Sequence, residues 1–318
     1  MSGMMTDNLC LHPPANGRTL NRGTLGSSKG NSMVNFPRTT PFRLGVFCCG
    51  LIFFLLPSRA GAQAALTDFR LLDVGYIQMY NLDFQGAHKN FQLYEQAHPQ
   101  DPLGPVSNAA AYLFSEFSRL HILEVELFTD NHKFESREKP RPDPAVYAAF
   151  DNELNAATQI ADRVLALSPH KSDALFAKVL ADGLRGDYLA LIEKRNLAGL
   201  SYMKAGRTLA EKLISLDPTY YDAYLAIGVE NYLLGVNAAP VRWILRMSGA
   251  ETNKDLGITN LRLTADRGHY LAPYARLLLA VAALRDQDRT TARNLLASLS
   301  REFPQNGLYQ RKLTRIQP

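Results

Sequence analysis

Apolar residues recur three and four positions apart along almost the whole chain from Leu66 to Leu308, and no stretch alternates with the period of two that a strand requires. The pattern resolves into successive helices joined by short turns. In the first pair, a helix carrying Leu71, Val74 and Gly75 precedes the turn Asn81-Leu82-Asp83, and a second helix runs from Phe84 to Ala97. A long apolar helix is predicted from about Val106 to Phe128, followed by an exposed, charged, proline-rich loop over residues 129–144 and a helix from Ala145 to Leu167. Further on, the periodicity predicts a helical unit from Ser172 to Leu216 and a helix opening at Asp222. A short proline-led helix follows from Pro240 to Met247, and then helices from Asn253 to Arg267, Leu271 to Arg285 and Arg289 to Phe303.

One signature recurs in four of these helices. Counting back twelve, eight and five residues from Pro99 gives Ala87, Phe91 and Tyr94; from Pro169 the same offsets give Ala157, Ala161 and Val164. Pro218 gives Gly206, Ala210 and Leu213, and Pro304 gives Ala292, Leu296 and Leu299. A small residue lets two helices cross closely, two apolar residues on the same face fill the space beyond, and proline stops the helix. This pattern resembles the second helix of a tetratricopeptide repeat, in the divergent form found in bacterial exported proteins. The likeness covers Leu66 to Leu308 and is tight in the second helices and loose in the first ones. Signature prolines are 70, 49 and 86 residues apart, which are not multiples of the 34-residue repeat. The resemblance implies an all-α, right-handed superhelix of stacked hairpins, in which the first helix of each pair lines a concave groove.

The first 62 residues read as a leader. Six of the chain's 35 basic residues but only one of its 30 acidic ones lie there, leaving 29 of each in residues 63–318. An uncharged apolar run, Leu44 to Leu56, ends in Pro57-Ser58 and the triplet Ala60-Gly61-Ala62. Thirteen residues at about 1.5 Å each reach roughly 20 Å, short of the roughly 30 Å of a bilayer core. A signal peptide cleaved between Ala62 and Gln63 is expected, with periplasmic or secreted residence; an uncleaved inner-membrane anchor is the alternative, and Met33 is an alternative start. Residues 63–318 then form one helical-repeat domain, and the leader is the chain's one route to a membrane.

Removing the leader changes the chemistry. Residues 63–318 are formally neutral, so overall basicity gives no argument for nucleic acid. Cys10, Cys48 and Cys49 all lie in the leader, which leaves the remainder without disulfides, a thiol nucleophile or thiolate metal ligands. His121 and Glu124 stand one turn apart near Glu116 and Arg119, but a bundle metal site needs a matching carboxylate–histidine pair on a facing helix, which a single helix does not supply. No phosphate-binding glycine loop or hydrolase elbow occurs. The sequence therefore predicts neither enzyme, cofactor nor metal.

What remains is binding. The resemblance implies that Glu230, Asn231 and Tyr232, just after Gly228, face the groove. Arg242 and Arg246, one turn apart beside Trp243, make a patch that could grip a carboxylate, and Glu116 with Arg119 is a secondary candidate. The expectation is a non-catalytic scaffold of the cell envelope that holds a partner protein or extended peptide. A second expectation is a small-molecule or glycan receptor with a tyrosine-lined pocket, since all fourteen tyrosines lie beyond the leader.

Overall fold

The computed structural model describes residues 59–124, 137–236 and 253–316. Among them are eleven α-helices and no strand. Five antiparallel hairpins follow one another: α1 (Arg59–Tyr80) with α2 (Phe84–Ala97), α3 (Leu103–Arg119) with α4 (Pro144–Leu167), α5 (Ser172–Asp187) with α6 (Asn196–Leu216), α7 (Tyr224–Val236) with α8 (Lys254–Arg267), and α9 (Ala272–Arg285) with α10 (Arg289–Glu302). A last helix, α11 (Gly307–Arg315), packs on α10. Each helix contacts the next in the chain, so the apolar faces that no hairpin can cover alone are covered by the neighbouring pair. The predicted helical-repeat class is the observed one.

The repeat signature explains the packing. Ala87, Phe91, Ala157, Ala161, Ala210, Leu213, Ala292, Leu296 and Leu299 are all buried at their helix crossings. In the first hairpin a Cβ on Gly75 would come within 2.4 Å of the Phe91 ring, which is why that position carries no side chain. Polar residues start the second helices: Asp83 accepts from the backbone N–H of Gly86, Asp143 from that of Ala145, and Asp288 from that of Thr291.

A fifth copy of the signature lacks its proline. His269 stands where the others have proline, and the same offsets from it give Gly257, Leu261 and Thr264, all buried. The 86-residue interval between Pro218 and Pro304 is therefore two hairpins. At the crossing of α7 and α8, a Cβ on Gly257 would lie 2.6 Å from the backbone nitrogen of Tyr232 and 3.0 Å from the carbonyl oxygen of Gly228.

Two predicted boundaries differ. The helix expected from Val106 to Phe128 is α3, which ends at Arg119 because His121 takes a left-handed conformation with φ of 56°. The unit expected from Ser172 to Leu216 is interrupted by a π-helical turn, Tyr188–Ile192, and by Lys194 with φ of 57°. The predicted Pro240–Met247 helix and the first half of the 129–144 loop lie outside the described residues; residues 137–143 are not helical, and Pro144 already begins α4.

The array closes on itself. Tyr76 of α1 stacks on Tyr270 in the α8–α9 turn with ring centroids 4.7 Å apart, and the Tyr80 hydroxyl donates to the carbonyl of Tyr270 at 2.8 Å. Beyond α10, Asn306 donates from Nδ2 to the carbonyl of Tyr80 at 2.9 Å, and the backbone N–H of Gln305 donates to Asn81 Oδ1 at 3.1 Å. Across the middle, Phe114 of α3 meets Tyr274 of α9 edge to face at 5.7 Å. The inner faces of the first helices thus converge on one another, and the open concave groove expected from the repeat pattern is taken up by apolar side chains.

Gly257→Ala tests the fifth crossing: the added methyl must separate α7 from α8, at a cost of about 1–3 kcal/mol. Urea unfolding is expected to show a lower midpoint with an unchanged slope.

Candidate functional site

The turns between hairpins all fall at one end of the array, because every second helix ends there and the following first helix starts there. Four of them surround a bowl of about 610 Å³: the α2–α3 turn with His98 to Leu103, the α4–α5 turn with Lys171 to Ala174, the α6–α7 turn with Thr219 to Asp222, and the α8–α9 turn with Arg267 to Tyr270.

Most of the bowl's acids are engaged in holding these turns. Asp101 accepts from the Tyr94 hydroxyl at 2.7 Å and from the Leu103 N–H at 2.9 Å. Asp173 accepts from the Tyr220 hydroxyl at 3.2 Å, which ties the third hairpin to the fourth, and lies 3.2 Å from Lys171 Nζ. Asp222 accepts from the backbone N–H groups of Tyr270 and Leu271, both at 3.0 Å, which ties the fourth to the fifth. Burial raises the Asp222 pKa above the ordinary aspartate value, and those backbone bonds oppose the shift. His269, in the place of the missing proline, lies 2.8 Å from Asp73 of α1 and edge-on to Tyr270.

Cations remain at the rim. The Arg267 guanidinium lies over the Tyr221 ring, 5.4 Å from its centroid, and donates from Nη1 to the Tyr221 hydroxyl at 3.1 Å. Its residue is exposed, as is Lys171. The bowl therefore carries Arg267 against Tyr221 and Lys171 beside Asp173 at its rim, next to Tyr220 and Tyr270, with Asp101 and Asp222 turned to holding the turns.

Below the bowl lies a second space, an interior cavity of about 110 Å³ between the inner helices. Asp222 lines both. The cavity is lined mainly by apolar and tyrosine side chains and by Asp187, the last residue of α5. Asp187 is half-buried and lines this cavity, and burial pushes its pKa up to about 7.

The residues singled out from sequence fall elsewhere. Glu230, Asn231 and Tyr232 are buried inside the α6–α7–α8 packing, at 1%, 0% and 5% exposure, and do not face a groove. Glu230 approaches Arg207 of α6 at 3.9 Å, and Asn231 donates from Nδ2 to the carbonyl of Ile227. The reason is the close α7–α8 crossing at Gly228 and Gly257, which leaves no room beside that face. Glu116 and Arg119 do form a pair, with Arg119 donating from Nε at 2.8 Å and Nη2 at 2.6 Å to the carboxylate. Glu116 is buried and also accepts from the Asp143 N–H, while Arg119 donates to the Arg141 carbonyl, so the pair fastens the start of α4. Arg242 and Arg246 lie outside the described residues, as does Trp243. Ala62 and Gln63 fall within the first turns of α1. His121 and Glu124 meet at 3.4 Å on the surface, and among the described residues no group of three or more His, Cys, Asp or Glu side chains is placed to hold a metal ion.

Sequence reasoning also passed over a polar network between α2, α3 and α4. His88 Nδ1 lies 2.6 Å from Asn108 Oδ1, and Asn108 donates from Nδ2 to Glu153 Oε1 at 2.8 Å. Burial and the nearby Glu153 charge push Glu95 up to about 7, whereas burial lowers the His88 pKa against its bond to Asn108.

No protein-family model and no curated protein matches the chain. Among solved structures, a thermophilic tetratricopeptide repeat protein of Thermus thermophilus is similar at 15% identity and a TM-score of 0.41, covering 78% of this chain and 98% of that one. At that distance the likeness transfers no residue roles.

Two outcomes follow from this geometry. Asp222→Ala leaves two turn N–H groups without their acceptor and is expected to cost about 2–5 kcal/mol in urea unfolding. The raised carboxyls give a pH dependence. Asp187 and Glu95, with folded pKa values of about 7, hold protons that the unfolded chain, with ordinary values near 4, has released. Stability from these groups is therefore complete below about pH 4 and lost as pH rises to about 7. The lowered His88 acts oppositely, losing stability as pH falls below its ordinary value of about 6.5. Circular-dichroism melts are expected to give a higher Tm at about pH 5.5 than at about pH 8, and Asp187→Asn is expected to flatten the alkaline side.

Proposed function

We propose that this protein is a non-catalytic binding scaffold of the cell envelope, which captures a carboxylate-bearing segment of a partner polypeptide in the axial bowl. The observation that carries this reading is the division of charge there: Asp101, Asp173 and Asp222 are occupied by neighbouring turns, and at the exposed rim Arg267 stands with no carboxylate of a described residue on it while Lys171 shares Asp173 with the Tyr220 hydroxyl. An acidic side chain or a chain terminus can form charge-assisted hydrogen bonds to the guanidinium edge that Tyr221 leaves open. The tyrosine floor adds contact area with polar tips at low entropic cost. A bowl of several hundred Å³ takes a few residues, not a folded domain.

Export by the leader brings the scaffold to its partner. Cleavage between Ala62 and Gln63 is compatible with the fold, because Leu71, Leu72, Asp73, Tyr76, Met79, Tyr80 and Asn81, which bring α1 into the closed array among the described side chains, all follow it. An envelope location also suits a chain whose cysteines are confined to residues 1–62.

Affinity capture from cell envelopes, quantified by mass spectrometry, is the test. The Lys171→Glu, Arg267→Glu double variant is expected to lose the partners that the wild-type protein retains. Its Tm should change by no more than about 2–4 °C, because both residues are exposed. Retention of the same partners by the folded variant refutes the bowl as the capture site. Mature protein recovered from cells is expected to begin at Gln63.

A further inference from the structure

The interior cavity has a chemistry of its own that capture at the bowl leaves unused. We propose that it is a binding site for a small organic cation, a primary ammonium on an apolar body of about four carbons, with Asp187 as the counter-ion; the size follows from comparison with the ~150 Å³ that accommodates benzene.

Three features of the cavity point this way. The first is the balance of charge. Asp187 and Asp222 are the ionisable groups there apart from tyrosines, and none of the described lining residues is Lys, Arg or His. Asp222 is satisfied by the N–H groups of Tyr270 and Leu271, whereas the Asp187 carboxyl makes no side-chain hydrogen bond or ion pair with any other described residue. A carboxylate kept in such a place without a partner is costly, and a bound cation removes that cost.

The second feature is the wall. Tyr76, Tyr80 and Tyr274 bring aromatic rings to the cavity, and Phe114 lies against Tyr274. Ring faces attract an ammonium, most of all where water is thin. Burial and neighbouring negative charge raise all three tyrosine pKa values, Tyr274 through Asp187 itself, so the phenols stay neutral and Asp187 and Asp222 remain the anionic groups of the lining. Leu184, Leu225 and Leu271 supply the apolar remainder.

The third feature is how the fold keeps the space and aims the carboxylate. Gly183 lines the cavity, and a Cβ there would meet nothing within 4 Å, so the absent side chain is not demanded by helix packing. Glycine in a helix interior is destabilising relative to alanine. One turn on, Gly186 approaches the Gly199 carbonyl so closely that a Cβ would lie 3.2 Å away, fixing the end of α5 against α6. Asp187 comes next, immediately before the π-helical turn Tyr188–Ile192, a distortion that re-aims side chains and recurs at ligand sites. Glycine at 183, close backbone contact at 186 and a π turn at 188 all act on the position between them.

Isothermal titration calorimetry of the full mature chain with n-butylammonium, 1-butanol and butyrate tests the proposal. Butylammonium is expected to bind, 1-butanol more weakly by about tenfold or more, and butyrate not at all. Asp187→Asn keeps the side-chain shape and is expected to reduce butylammonium affinity by about tenfold or more while leaving 1-butanol unchanged. Gly183→Leu, which fills the cavity, is expected to abolish both. The proposal is overturned if wild-type protein binds 1-butanol as tightly as butylammonium, if neither binds at millimolar concentration, or if folded Asp187→Asn keeps full affinity for the cation. Because the wild-type comparison alone discriminates charge from shape, a variant that fails to fold does not remove the test. None of these titrations involves Lys171 or Arg267, so failure here is distinct from failure of capture at the bowl.

Discussion

The stacking of Tyr76 on Tyr270 is the contact on which the rest of the molecule depends. It joins the first helix to the turn that opens the fifth hairpin, and three hydrogen bonds from residues Tyr80, Gln305 and Asn306 reinforce it. With that seam made, the inner helices face one another and enclose an interior; without it they would bound a trough. The distinction decides what kind of binding the protein can do. A trough suits a long helix or extended chain laid along it. The closed array offers instead a bowl at the turn end and a small chamber beneath.

The hairpins themselves were legible because their logic is local. Ala87, Ala157, Gly206 and Ala292 announce helix crossings through residue size alone, and proline marks each helix end at a fixed offset. The fifth copy was harder to see because His269 replaces the proline. A search keyed to Gly257, Leu261 and Thr264, without requiring proline, would have found it. The left-handed His121 and the π turn at Tyr188 escaped notice because neither carries glycine or proline, the usual marks of irregular backbone.

The sites were much less legible, for a physical reason. Polar residues on a helix read the same whether they meet water, a ligand or another helix. Glu230 and Asn231 looked like groove residues by their distance from Gly228, but the tightness of the α7–α8 crossing buries them. The bowl is built from turn residues far apart in sequence: Lys171, Tyr221, Arg267 and His269 come together only through the stacking of three hairpins. Its one sequence trace is the recurrence of Asp and Tyr just after the helix-ending residues, as in Asp101, Asp173, Tyr220, Asp222 and Tyr270. Asp187 left a fainter trace, an acid at the end of an apolar helix with glycines at 183 and 186.

The seam also constrains how the chain reaches its folded form. Arrays of helical hairpins ordinarily grow from any point, since each unit leans only on those beside it. Here Tyr80 waits for Tyr270 and Asn306, partners 190 and 226 residues downstream. Synthesis and any passage across a membrane deliver α1 first and α11 last, so early hairpins can form while their final neighbour is still missing. Until Tyr270 and Asn306 emerge, Tyr76 and Tyr80 lack those partners, and the polypeptide offers aromatic surface to whatever escorts it. Closure is then a late event, and a chain that stopped short of Gln305 and Asn306 would leave α1 without two of the bonds that hold the seam shut.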